Sequence, residues 1–119
     1  MSGSYEFPKR VRLNKQKDIE RLFKNGIYLR AGILGIKYVP NEVGYSRFVI
    51  SVKKQVGNAP YRNYVKRLLR ESIRLRYAQL SGHYDVGVFM TQRISFPLTL
   101  AYISDQVSQF FAQLRQNPS

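Results

Sequence analysis

The sequence contains no cysteine and a single histidine, and only seven of its 119 residues are acidic. Without cysteine there is no disulfide scaffold, no thiolate metal site and no thiol nucleophile. One histidine and few carboxylates leave little from which to build a metal-dependent nuclease site or an acid–base pair. No uninterrupted apolar run approaches the roughly 18 residues of a membrane-spanning helix. The opening stretch MSGSYEFPKRVRLNK lacks the apolar core of a signal peptide. The expected address is the cytoplasm, with no membrane partner.

Positive charge is what the chain has in excess. It carries 20 Lys and Arg, a formal net charge of +13 and a pI near 10.3. With 44% hydrophobic and 13% aromatic residues it can still bury a core, so the charge does not signal disorder. The length suits one domain over 1–119, with short polar ends at 1–8 and 116–119 expected to be flexible. The excess is uneven: nine basic against three acidic residues in 1–40, nine against two in 41–80, and two against two in 81–119. An anion-facing surface is therefore expected in the first two thirds, and scaffold in the last. A field of this sign attracts polyanions, nucleic acid first.

Periodicity and turn residues divide the chain into a few elements. Asn14 can cap a helix over about 15–25, with Ile19, Leu22 and Phe23 on one face and Gly26 as its stop. ILGIKYV (33–39) and YSRFVISV (45–52) read as strands joined through PNEVG, which suggests a hairpin, with an additional short strand near 27–31. After VGNAP, a helix is expected from about 61 to 80, with Pro60 at its start. YDVGVFM (84–90) reads as a buried strand and 98–116 as a last helix carrying Ile103, Val107, Phe110, Phe111 and Leu114. The order αβββαβα, or αββαβα without the short strand, predicts an α+β fold, an α/β sandwich built on a mostly antiparallel sheet.

The helix after VGNAP separates into two faces. Val65, Leu68, Leu69, Ser72, Ile73 and Leu75 form an apolar arc, and Arg62, Asn63, Lys66, Arg67, Arg70 and Arg74 form a polar one. Arg62, Lys66, Arg70 and Arg74 stand four apart with no acidic residue in their row, and such like-charge neighbours are mildly unfavourable in isolation. Lys53, Lys54 and the helix start would add to the same anion-binding surface. A solvated helix face normally mixes both signs. This one does not, so a polyanionic partner is expected.

SVKKQVGNAPYRNYVKRLLRESIR (51–74) resembles the signature of the bacterial ribonuclease P protein component: a strand ending in S-V, a lysine pair, G-N-A, and a helix reading R-N-R-x-K-R-x-x-R followed by E or Q. NKQKDIERLFKNG (14–26) is similar to that family's first helix, and LSGHYDVGVFM (80–90) to its last strand. Four positions depart from the pattern. Tyr64 stands in place of the second motif arginine. The lysine pair falls on Lys54 and Gln55, with Lys53 in a serine place. Pro60 replaces an aliphatic residue, and Ile19 an aromatic one.

The resemblance implies a non-catalytic subunit. In that family a large RNA with bound Mg²⁺ removes the 5′ leader of precursor tRNA, and the protein binds both the RNA and the leader. It implies a left-handed βαβ crossover, as in the second domain of ribosomal protein S5. Lys53, Lys54, Asn58, Arg62, Asn63, Lys66, Arg67, Arg70 and Arg74 would contact the catalytic RNA. Ile19, Phe23 and Tyr38 would line a cleft for the single-stranded leader, where an aromatic face stacks on any base. No catalytic residue, no metal or cofactor held by the chain, and no protein partner is expected.

Three other readings compete. A general or ribosomal RNA-binding protein would share the basic helix. A free-standing nuclease lacks a site, since His83 falls in a turn and Asp18, Glu20, Asp85 and Asp105 have no partner at metal-ligand spacing. A membrane-surface protein would want the apolar helix face for lipid, and the core claims it.

Overall fold

The computed structural model describes residues 11–80 and 82–116; of the tails expected at 1–8 and 116–119, only Gln116 lies within the described residues, as the end of the last helix. Helix α1 (Gln16–Asn25) is followed by strands β1 (Ile27–Ala31), β2 (Leu34–Pro40) and β3 (Arg47–Val52). Helix α2 (Ala59–Arg76), strand β4 (Tyr84–Met90) and helix α3 (Leu100–Gln116) complete the order αβββαβα.

The four strands form one sheet in the order β1-β2-β4-β3. The hairpin expected between 33–39 and 45–52 does not form. β2 turns back on β1 instead, with Ile27 opposite Tyr38 and Ala31 opposite Leu34. β4 enters between β2 and β3, antiparallel to the first and parallel to the second. The parallel pair is joined by α2, since parallel strands need a long crossover. The outer edge of β3 is partly covered by the chain's beginning, where the Leu13 N–H donates to the Phe48 carbonyl at 2.8 Å.

Alternation along the strands sends side chains to two different layers. Leu34, Ile36 and Tyr38, with Phe48, Val86, Val88 and Met90, share a core with Val65, Leu69 and Ile73 of α2 and Ile103, Val107 and Phe110 of α3. The Phe48 and Phe111 rings lie 6.0 Å apart across this layer. The neutral last third thus supplies much of this core. Among the described residues the other sheet face carries α1, whose Leu22 is buried over Gly87.

Some helix boundaries have a local cause and others do not. α1 begins after Lys15 with no side-chain cap, so Asn14 does not cap it as expected. At its end Gly26 donates its N–H to the Leu22 carbonyl, and a Cβ there would sit 2.4 Å from that oxygen. Glycine is required at this stop for space. α2 starts at Asn58, whose Oδ1 accepts the Tyr61 N–H at 3.0 Å, a cap that Pro60 leaves undisturbed. It ends at Arg76 in a single 3₁₀ turn over Tyr77–Gln79, short of the expected residue 80.

Candidate nucleic-acid interface

α2 presents its cations as the helical spacing requires, with some rotation. Asn63, Arg67 and Arg70 are exposed, while Arg62 and Lys66 lie half-buried at the border of the core stripe. Leu75, assigned above to the apolar arc, is instead 50% exposed.

Arg74 leaves the expected cationic row. Its Nη2 donates to Glu71 Oε2 at 2.6 Å and its Nε to Oε1 at 2.9 Å. The hydrogen bonds from Arg74 hold the Glu71 carboxyl below the usual carboxylate range, against a smaller opposing effect of burial. One turn of helix thus neutralises one of the four ladder cations, because i,i+3 neighbours meet on a helix surface. The other ion pairs found among the described residues join Arg21 and Arg47 to Asp18 and Asp85. Arg62, Lys66, Arg67 and Arg70 have no carboxylate partner among the described residues.

The start of α2 contributes less than expected as an anion site. Asn58 takes the Tyr61 N–H and Pro60 has none to offer, so few free donors remain there. Lys53 also sits elsewhere than the basic helix face. It lines a cavity of about 260 Å³ on the α1 side of the sheet, with Phe23, Tyr28, Lys37, Ser51, Phe89 and Thr91. Lys54 is exposed in the single 3₁₀ turn between β3 and α2.

Of the residues expected to line a cleft, Phe23 borders this cavity. Phe23 is 45% exposed, its ring 5.4 Å from that of Phe89. The Lys37 ammonium lies 5.5 Å from the Phe23 ring centroid and donates to the Phe23 carbonyl near the C-terminal end of α1. Ile19 is half-buried on the same helix, one turn before Phe23. A cation over a partly exposed ring, with Lys53 nearby, suits an unpaired base attached to phosphate.

Tyr38 does not belong there. It is 3% exposed, on the core face, with its ring 5.7 Å from Tyr84 in an edge contact. Burial, and to a lesser degree Tyr84, raises the pKa of its hydroxyl. The reason is parity: Tyr38 alternates with Leu34 and Ile36, and Lys37 takes the opposite face. Lys37 and Phe89, with Tyr28, Ser51 and Thr91, line the cavity without having been expected there, and the same alternation identifies the first two.

A buried charge cluster fixes α1 over this face. Asp85 Oδ1 accepts from Arg47 Nε at 2.9 Å and from Asn41 Nδ2 at 2.8 Å. Its Oδ2 accepts from Arg47 Nη2 at 2.9 Å and from Arg21 Nη2 at 3.1 Å. Arg47 Nη1 also donates to Asp18 Oδ2 at 3.2 Å, so Asp18 of α1 joins the cluster. The hydrogen bond to Asp85 raises the pKa of the Arg47 guanidinium still further. His83 is exposed, and among the described residues no three His, Cys, Asp or Glu gather as a metal site.

Known proteins resemble this chain in sequence and in fold. The Ribonuclease P family model matches residues 7–115. The ribonuclease P protein component of Desulforapulum autotrophicum is 32% identical over 117 residues, covering 94% of this chain and 95% of that protein. That of Dictyoglomus turgidum is 41% identical over 88 residues, 74% of each. The Staphylococcus aureus RNase P protein structure matches with a TM-score of 0.73 at 26% identity, covering 87% of this chain and 94% of that one. The Thermotoga maritima RNase P protein shares the fold, with a TM-score of 0.74 at 24% identity over 91% and 98% of the two chains.

Proposed function

Since this chain belongs to the bacterial ribonuclease P protein family, it is the protein subunit of a tRNA-processing endoribonuclease and associates with the ribonuclease P RNA, and we propose that it divides this work between its two surfaces. The exposed side of α2 grips the RNA through Arg62, Asn63, Lys66, Arg67 and Arg70, with Lys54 and Asn58 beside the helix start. The cavity under α1 takes the 5′ leader of precursor tRNA, with Phe23 stacking on a base and Lys37 and Lys53 attracting its phosphates. Mg²⁺ and bond cleavage belong to the RNA, in a cytoplasmic ribonucleoprotein.

The observation that carries this reading is the set of four α2 cations with no carboxylate partner among the described residues. A surface of that kind gains free energy chiefly by releasing counterions from a polyphosphate. The test is reconstitution: the purified chain, a bacterial ribonuclease P RNA and a leader-bearing precursor tRNA at low Mg²⁺. The chain alone should leave the substrate intact, and the mixture should cut faster than the RNA alone. Cleavage without RNA would make the chain a nuclease. An unstimulated mixture would leave only general RNA binding.

A further inference from the structure

A second hollow, of about 460 Å³, opens at the beginning of α2, lined among others by Gly57, Asn58, Tyr61, Arg93, Ser95 and Phe96. It shares no lining residue with the Phe23 cavity. Its volume lies within the range of small-ligand pockets, about 300–1,000 Å³, which is room for a nucleotide.

The hollow is closed on one side by the segment between β4 and α3, and that segment is pinned. Leu98 is buried and Ile94 packs against the core. The Tyr64 hydroxyl, from α2, donates to the Leu98 carbonyl at 2.8 Å. Arg93 and Phe96 stand exposed beside these anchors. Phe96 is 42% exposed, yet its ring is held edge-on by Tyr102 at 5.3 Å. Arg93 has no carboxylate partner among the described residues. It is also one of only two basic residues after position 80, and the fold delivers it to the start of the basic helix. Because Asn58 already caps that helix, the positive charge of the hollow comes from the Arg93 side chain.

We propose that this hollow is a nucleotide site separate from the leader cleft, in which Arg93 takes a phosphate and Phe96 stacks on an unpaired base. Tyr64 positions it: by holding Leu98, it brings Arg93 to the helix start and supplies indirectly the cation that position 64 lacks. The inference rests on the reading that the partner is RNA, and deepens it. The nucleotide comes either from the ribonuclease P RNA or from the precursor tRNA.

The test measures binding of the full chain to a bacterial ribonuclease P RNA across a series of KCl concentrations, with and without precursor tRNA. Arg93→Ala should lower the salt slope by about one unit, and Arg93→Lys should keep it. Phe96→Ala should weaken binding about fivefold or more with little change in slope. Tyr64→Phe keeps the ring but loses the bond to Leu98, and should reproduce part of the Arg93→Ala effect at an unchanged melting temperature. Tyr64→Arg placed in the Arg93→Ala protein should restore the slope. Loss seen with the RNA alone assigns the site to that RNA, and loss seen only with precursor tRNA assigns it to the substrate. Wild-type slope and affinity for Arg93→Ala in both arms would overturn the inference alone. Failure of the wild-type chain to bind either RNA would overturn the functional reading with it.

Discussion

Glu71 and Arg74 stand three residues apart on α2, and their contact shows how a charged row is edited by its own helix. The Glu71 carboxyl titrates below its ordinary range in the folded protein, chiefly through Arg74. The unfolded chain therefore binds its proton at higher pH. The stability this contributes is present above the usual carboxylate range and is lost as pH falls through the depressed value. Glu71→Gln should lower stability near neutrality and flatten the acid limb of a stability-against-pH curve measured by urea denaturation. Phe23 permits a second single-residue prediction. Phe23→Ala should weaken precursor tRNA binding by about 1–3 kcal/mol and spare mature tRNA, as read from paired affinity titrations. Equal weakening of both, with a lower melting temperature, would mean that Phe23 only packs on Phe89. At this scale the sequence was legible where one period sufficed. The exposed cations Arg67 and Arg70 of α2 followed from it, Phe23 came only from the family resemblance, and Tyr38 would have been excluded by its parity with Leu34 and Ile36. The partner of Arg74 needed the actual rotamers.

Elements were easier to read than their pairing. Helices and strands fell close to their expected bounds, because capping and alternation are local signals. The neighbour of β3 is not local: β4 lies more than thirty residues downstream and displaces the adjacent β2 from its side. The same remoteness hid the role of Asp85, whose partners come from α1, β3 and the end of β2. This cluster ties α1 to the sheet and so sets the walls of the Phe23 cavity. Asp85→Ala leaves Arg47 buried without its main partner and should cost about 3–5 kcal/mol, visible as a lower melting temperature. An unchanged melt would mean that α1 is held by Leu22 alone. For α2, the paired change Arg67→Ala and Arg70→Ala should lower the salt slope of RNA binding by about two units. The folded stability should stay nearly constant, since neither side chain is buried or paired among the described residues.

At the scale of the molecule, two cationic features occupy opposite sides of one sheet: α2 packs on one face, and the Phe23 cavity opens on the other. A net charge of +13 on a body about 37 × 33 × 28 Å creates a field that extends well past the surface at low ionic strength. Association with RNA should therefore be fast and fall steeply with added salt, as stopped-flow mixing would record. A rate indifferent to KCl would deny the field any part in the encounter.

The central placement of β4 also constrains how the chain is made. As synthesis proceeds, β1 and β2 can zip together at once, whereas β3 must wait with one flank bare until residues 84–90 leave the ribosome and slide into the gap. During that interval the nascent chain exposes a strand edge and the apolar side of α2. Truncations ending before Tyr84 should accordingly aggregate rather than fold.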